Sequence, residues 1–185
     1  RINQTVPAAI AMLPPSLRPE ILHQTGERSR DLTADAYRDA GIEARVTPFI
    51  DDMTSAYAWA DLAICRSGAL TVSELAAAGL GAILSPFPAA VDDHQTRNAL
   101  FLSEAGAARL ILESELGVDS LAGILKTLLA NGREGLLEMA EAKLGPPPVP
   151  YVWMAGGSQA RRERAGASCP AAATGSVALA LAKSR

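Results

Sequence analysis

The chain has 185 residues and a mass of 19.2 kDa, which is room for one well-cored domain but not for two. Its 49% hydrophobic content and mean hydropathy of +0.13 exclude a wholly disordered chain, and with only 4% aromatics the core has to be built from Ala, Leu, Ile and Val. A net charge of −3 and a pI near 5.4 exclude nucleic-acid binding through a dominant basic surface.

That charge is unevenly spread. Residues 1–144 hold 19 acidic and 12 basic residues, whereas 145–185 hold one acid, Glu163, and five bases. Two cysteines, Cys65 and Cys169, allow at most one disulfide, and an aliphatic core of this size needs none, so a reducing setting is expected. No signal-peptide pattern opens the chain, and Arg1 already falls inside a helical pattern, as in a segment of a longer protein. The longest uncharged run, Ala165 to Ala182, is mostly Ala, Ser, Thr and Gly around Pro170 and Gly175, and does not read as a membrane span.

In chain order, Ile2, Val6, Ile10 and Leu13 predict a helix that Pro14 and Pro15 stop. Glu20 to Gln24 reads as a strand, Ser29 to Ala40 as a polar helix closed by Gly41, and Ala44 to Ile50 as a second strand. Asp51 or Asp52 caps a short helix through Ala60. A third strand, Asp61 to Arg66, turns at Ser67-Gly68 into a helix from Ala69 to Ala78, which Gly79 ends. A strand at Ala82 to Ser85, a helix at Asp92 to Ala105, a strand at Ala108 to Leu112 and helices at Val118 to Ala130 and Arg133 to Leu144 follow. This alternation predicts the α/β class, a Rossmann-like doubly wound parallel sheet. The run Gly145-Pro-Pro-Pro-Val-Pro150 then breaks the pattern, and the segment from 144 to 185 is expected to be largely disordered.

Ligands of open α/β sheets bind beyond the carboxyl ends of the strands, which nominates four loops: His23 to Gly26, Phe49 to Asp52, Arg66 to Thr71, and Pro86 to Gln95. In the third loop a helix starts with unpaired N–H groups, which suit a phosphate, and Gly68 lets the backbone approach it. One turn on, Glu74 is placed to meet a sugar diol; Thr71 and Glu74 equally fit a capping box that satisfies only the helix itself. In the fourth loop Gln95 and Asn98 share a helix face suited to neutral hydroxyls, or belong to a plain capped surface helix. His94 beside Asp92 and Asp93 lacks a second histidine, so no metal site is expected. Cys65 reads as inert core, and Ser67 lacks the flanking pattern of a hydrolase nucleophile. His23 fits either a site or a strand end, while Met53, Tyr57 and Trp59 read as packing.

The stretch Arg66-Ser-Gly-Ala-Leu-Thr-Val-Ser-Glu-Leu-Ala-Ala-Ala-Gly79 resembles the C-terminal half of the MurG family of bacterial peptidoglycan glycosyltransferases. Supporting stretches are Asn3 to Pro7, His23 to Gly26, Phe49 to Met53, Ala56 to Asp61, Asp92 to Gln95 with Asn98-Ala99, and Glu104 to Ala108, so the resemblance covers residues 1 to about 143. It implies one half of a GT-B fold, with 1–143 as the nucleotide-sugar domain, and a donor, UDP-N-acetylglucosamine, whose sugar goes to lipid I to make lipid II. By motif position, Ile50 would meet uracil through its backbone, Ala69, Leu70 and Thr71 the diphosphate, Glu74 the ribose, and Gln95 the N-acetylglucosamine. Arg66, Ser67, Gly68, Val72, Ser73 and Asn98 complete the implied donor site.

The resemblance also implies direct inverting displacement with no cofactor and no metal, and a full-length enzyme lying peripherally on the cytoplasmic face of the inner membrane. The family's N-terminal domain, which would hold the catalytic base and meet lipid I, is not in this sequence, so the chain alone is expected to bind donor without transferring sugar. Gly81 stands where the family usually has proline, and 144–185 replaces the family's closing helix, as an altered reading frame or a fusion would. Two other readings remain open: another GT-B enzyme, such as a lipid glucosyltransferase or a nucleotide-sugar epimerase, and a non-catalytic α/β binding module.

Overall fold

The computed structural model describes residues 1–88, 94–141 and the backbone of 179–183. Among the described residues seven α-helices, α1 (Ile2–Ala11), α2 (Arg30–Asp39), α3 (Met53–Trp59), α4 (Ala69–Ala78), α5 (His94–Glu104), α6 (Val118–Ala130) and α7 (Gly132–Ala140), surround a six-stranded sheet. Its strands are β1 (Glu20–Gln24), β2 (Arg45–Thr47), β3 (Leu62–Cys65), β4 (Gly81–Leu84), β5 (Ala108–Leu110) and β6 (Leu179–Lys183), in the order β2-β1-β6-β3-β4-β5.

Alternation along the central strands builds two cores. Leu62, Ile64 and Ile83 face one way, onto Ile2, Val6 and Ile10 of α1, Tyr37 of α2, Leu121 and Leu125 of α6, and Leu136 and Met139 of α7. Ala63, Cys65, Ala82 and Leu84 face the other, onto Ala56 and Tyr57 of α3, Val72 and Leu75 of α4, and Ala99 and Leu102 of α5. Both faces are therefore covered, as the near-continuous apolar runs of β3 and β4 require. Small residues at the second face let helices sit close to the sheet. On the first face, a side chain at Gly81 would meet Met139 Cβ at 3.0 Å, so α7 presses directly on β4. The buried Asp61 carboxylate accepts from Arg133 Nε at 3.1 Å, which ties α7 to the start of β3.

The pairs β1–β2, β3–β4 and β4–β5 are parallel, as expected from the alternation. The pairs that β6 makes with β1 and β3 are antiparallel, so the sheet is mixed rather than wholly parallel. Five residues of the segment expected to be largely disordered thus supply a central strand, opposite both β1 and β3. A short apolar run carries no signal of the distant partners that accept it. The rest of 144–185 lies outside the described residues, as do Asp92 and Asp93. The second strand is shorter than its apolar pattern because Pro48, which has no N–H, follows Thr47 directly.

From β1 the chain steps outward to β2, and from β3 it steps outward the opposite way to β4 and β5. The carboxyl ends of β1 and β3 flank the point where the winding reverses, the place where open α/β sheets form a crevice.

Candidate functional site

Two loops meet that crevice with opposite chemistry. At the end of β1, His23 is fully buried, its Nδ1 2.9 Å from the Tyr37 hydroxyl and its Nε2 3.1 Å from Asn3 Oδ1. The Asn3 amide nitrogen donates to the Thr25 carbonyl at 3.0 Å, so its Oδ1 is an acceptor and His23 carries its proton on Nε2. Nδ1 then accepts from Tyr37. Burial pushes the His23 pKa down to about 4, so the ring is neutral and internally satisfied. Of the two sequence readings, His23 follows the structural one.

At the end of β3, helix α4 begins after Gly68 with no side-chain cap. The N–H of Val72 already bonds the Gly68 carbonyl at 2.9 Å, whereas those of Ala69, Leu70 and Thr71 precede any intrahelical acceptor. A capping box would need Thr71 at the N-cap, but the helix starts two residues before Thr71, which is therefore inside its first turn. Glu74 accordingly does not reach back: its Oε2 accepts from the Tyr57 hydroxyl at 3.0 Å. Half-burial raises the Glu74 pKa and the Tyr57 bond opposes that rise. Behind it, burial pushes the Cys65 thiol up to about 12, with Glu74 adding to the effect, so Cys65 is an inert core thiol.

The other implied donor residues divide into those that frame this turn and those near it. The Ser67 side chain is fully buried, its hydroxyl donating to the Gln95 carbonyl at 2.8 Å, while Asn98 Nδ2 donates to the Ser67 carbonyl at 3.1 Å. These bonds fasten the loop to α5, and the Ser67 hydroxyl is removed from any ligand. The Val72 side chain is likewise core, 6% exposed. Ser73 donates to the Ala69 carbonyl at 2.9 Å, one turn back along its own helix. Arg66 Nη1 donates to the carbonyls of Ser85 and Pro86, both at 3.1 Å, and to Glu113 Oε2, and the guanidinium lies over the Phe87 ring, 5.4 Å from its centroid. It clamps the loops after β4 and β5, and its hydrogen bond, aided by its charge, holds the Glu113 carboxyl below its usual range.

Gln95 Oε1 accepts from the Phe87 N–H at 2.9 Å, which closes the loop after β4 onto α5. Ile50, 8% exposed, donates its N–H to Gln24 Oε1 at 2.8 Å, so a backbone contact from Ile50 to a base runs through its carbonyl or displaces Gln24. Sequence reasoning did not find the partners Tyr57, Gln24 and Glu113. Each acts across 17 to 47 residues of chain, and the packing of separate elements carries no local signal. Among the described residues no group of three His, Cys, Asp or Glu is placed to hold a metal.

The family model for the glycosyltransferase family 28 C-terminal domain matches residues 1–146. The UDP-N-acetylglucosamine--N-acetylmuramyl-(pentapeptide) pyrophosphoryl-undecaprenol N-acetylglucosamine transferase of Nitrosococcus oceani is 54% identical over 141 residues, covering 76% of this chain and 39% of that protein. Its namesake from Azotobacter vinelandii is 56% identical over 124 residues, 67% of this chain and 35% of the relative. The crystal structure of Acinetobacter baumannii MurG superposes with a TM-score of 0.68 at 43% identity, over 75% of this chain and 40% of that one. The chain thus spans about two fifths of the length of the relatives it matches. A family match over most of the chain, on the fold and at the loops just described, places the protein in glycosyltransferase family 28, as its C-terminal domain.

Proposed function

We propose that this domain binds UDP-N-acetylglucosamine and serves as the donor half of an inverting transferase that converts lipid I to lipid II. The observation that carries the reading is the start of α4: three amides without a side-chain cap, and a carboxylate one turn on that is held by Tyr57 and not by the helix. The amides of Ala69, Leu70 and Thr71 take the diphosphate, aided by the positive end of the helix dipole. Glu74 accepts from the ribose hydroxyls, the Ile50 carbonyl meets the uracil edge, and Gln95 and Asn98 stand on the sugar side. Gly68 and Arg66 keep the approach open, Arg66 by clamping the loops around it.

In the transfer, an acceptor hydroxyl attacks the anomeric carbon as UDP leaves. Negative charge grows on the diphosphate, so amides aimed at it stabilise the transition state more than the ground state. We assign no general base to the described residues. Transfer and docking at the membrane face are assigned to the whole enzyme, through the part of the relatives' length that this chain does not span. The relatives' names, which specify an N-acetylglucosamine donor and a muramyl acceptor, favour this reading over another nucleotide-sugar enzyme.

Calorimetric titration of the chain with UDP-N-acetylglucosamine, UDP-glucose and UDP tests it. Binding of all three, tightest for the N-acetylated sugar, is expected. Tighter binding of UDP-glucose favours a different sugar specificity, and a folded chain that binds none is a non-catalytic module.

A further inference from the structure

Glu74 stands on the second turn of α4, on a helix whose own backbone does not hold its carboxylate. Its partner comes from α3, the short helix that directly follows the Ile50 loop and is capped where Asp52 accepts from the Ser55 N–H at 2.9 Å. Tyr57 is 7% exposed, with its ring in the core cluster that includes Val72 and Leu75 of α4. A phenol fixed in a packed core has two side-chain torsions and little freedom in either. Its hydroxyl therefore presents a donor at a set place, 3.0 Å from Glu74 Oε2.

A carboxylate has two oxygens and about four acceptor directions. A bond to one oxygen stops the group from turning and leaves the second oxygen, with one direction on the first, for two donors side by side. Two adjacent donors are what a vicinal diol offers. We propose that Tyr57 is the positioning residue for diol recognition: it holds Glu74 Oε2 so that the carboxylate faces the two ribose hydroxyls of a nucleotide seated at the start of α4. This rests on the donor-site reading above. It also explains why a tyrosine, and not a phenylalanine, fills this core position beneath the site. The same bond opposes the effect of half-burial on Glu74 and favours the ionised, acceptor-only form.

The test uses the full 185-residue chain and its variants Y57F, E74A and Y57F/E74A, each titrated with UDP and with 2′-deoxy-UDP and each followed through thermal unfolding. For Y57F, UDP affinity is expected to fall about 3- to 10-fold, with 2′-deoxy-UDP affected less than about 2-fold, as for loss of one hydrogen bond made toward the diol. On the E74A background, Y57F is expected to change UDP affinity no further. Equal losses for both ligands, or an unchanged UDP affinity in Y57F beside a clear loss in E74A, would overturn the positioning role and leave the donor site intact. UDP binding in E74A equal to that of the unsubstituted chain would overturn the ribose assignment itself, and this proposal with it. The unfolding curves separate a loosened helix pair from a misdirected carboxylate, since only the first lowers the midpoint and weakens both ligands together.

Discussion

Two loops leave the same edge of the sheet at strand ends on either side of β6, and one is closed while the other is open. At β1, His23, Tyr37, Asn3 and the Thr25 carbonyl satisfy one another, with His23, Tyr37 and Thr25 buried and Asn3 half-buried beside them. At β3, the first amides of α4 have no capping side chain, although α3, a few residues upstream, is capped by Asp52 and α6 has its Gly117 N–H bonded to the Ser120 hydroxyl. Both loops occupy the position where α/β proteins bind ligands. Position therefore nominates a loop, and the balance of internal donors and acceptors decides whether it is part of the scaffold or part of a site.

The comparison breaks most visibly in the closed loop under acid. His23 is neutral when folded, with its pKa lowered to about 4, whereas in the unfolded chain it titrates near 6.5. Between those values the unfolded state binds the extra proton, so stability is full above pH 6.5 and declines as pH falls toward 4, by roughly 3 kcal/mol in all. Urea unfolding at pH 7 and pH 4.5 measures this. An H23Q variant should lose that part of the pH dependence, though it is less stable at pH 7.

Closing the open loop is the converse change. Gly68 has φ −58 and ψ 146, open to any residue, and a side chain there would meet only Thr71 Oγ1 at 3.8 Å. G68D should therefore cap α4 as Asp52 caps α3, raising stability by a few tenths of a kcal/mol. It should also weaken UDP binding about 30-fold or more, roughly 2 kcal/mol, because a carboxylate takes the place of the diphosphate. Unfolding and calorimetry on one preparation show whether the two effects move in opposite directions.

Smaller effects sharpen the contrast. E74Q should weaken UDP about 10-fold, near 1.4 kcal/mol, and leave the unfolding midpoint nearly unchanged, because Glu74 caps nothing. D52A should do the reverse, lowering the unfolding midpoint with UDP affinity unchanged. A loss of stability in E74Q equal to that in D52A would mean that the two helix starts do not differ in kind.

Much of the fold was legible because periodicity is local. Leu62 to Cys65 and Gly81 to Leu84 are apolar at every position, which marks strands covered on both faces, and Gly79 at φ 58 ends α4 where the pattern stops. The strand at Leu179–Lys183 was not legible, since its place between β1 and β3 depends on partners more than 100 residues away in the chain. In the site, the start of α4 at Ala69 was legible and the use made of it was not. Thr71 and Glu74 have the spacing of a capping box, and only the packing of α3 against α4 gives the carboxylate to Tyr57. Arg66 and Ser67 sit in the nominated loop, yet the sequence does not reveal that the acceptors of both come from the loop after β4, from α5 and from Glu113, which make them fasteners of the site.

The central claim is that the first turn of α4 receives a diphosphate. Following the backbone amide resonances of the chain during titration with UDP tests it residue by residue. The largest shifts are expected at Ala69, Leu70 and Thr71, with smaller ones around Ile50 and almost none at the Ser55 amide that Asp52 already caps. Saturable binding that leaves those three amides unmoved, or that shifts Ser55 as much, would contradict it.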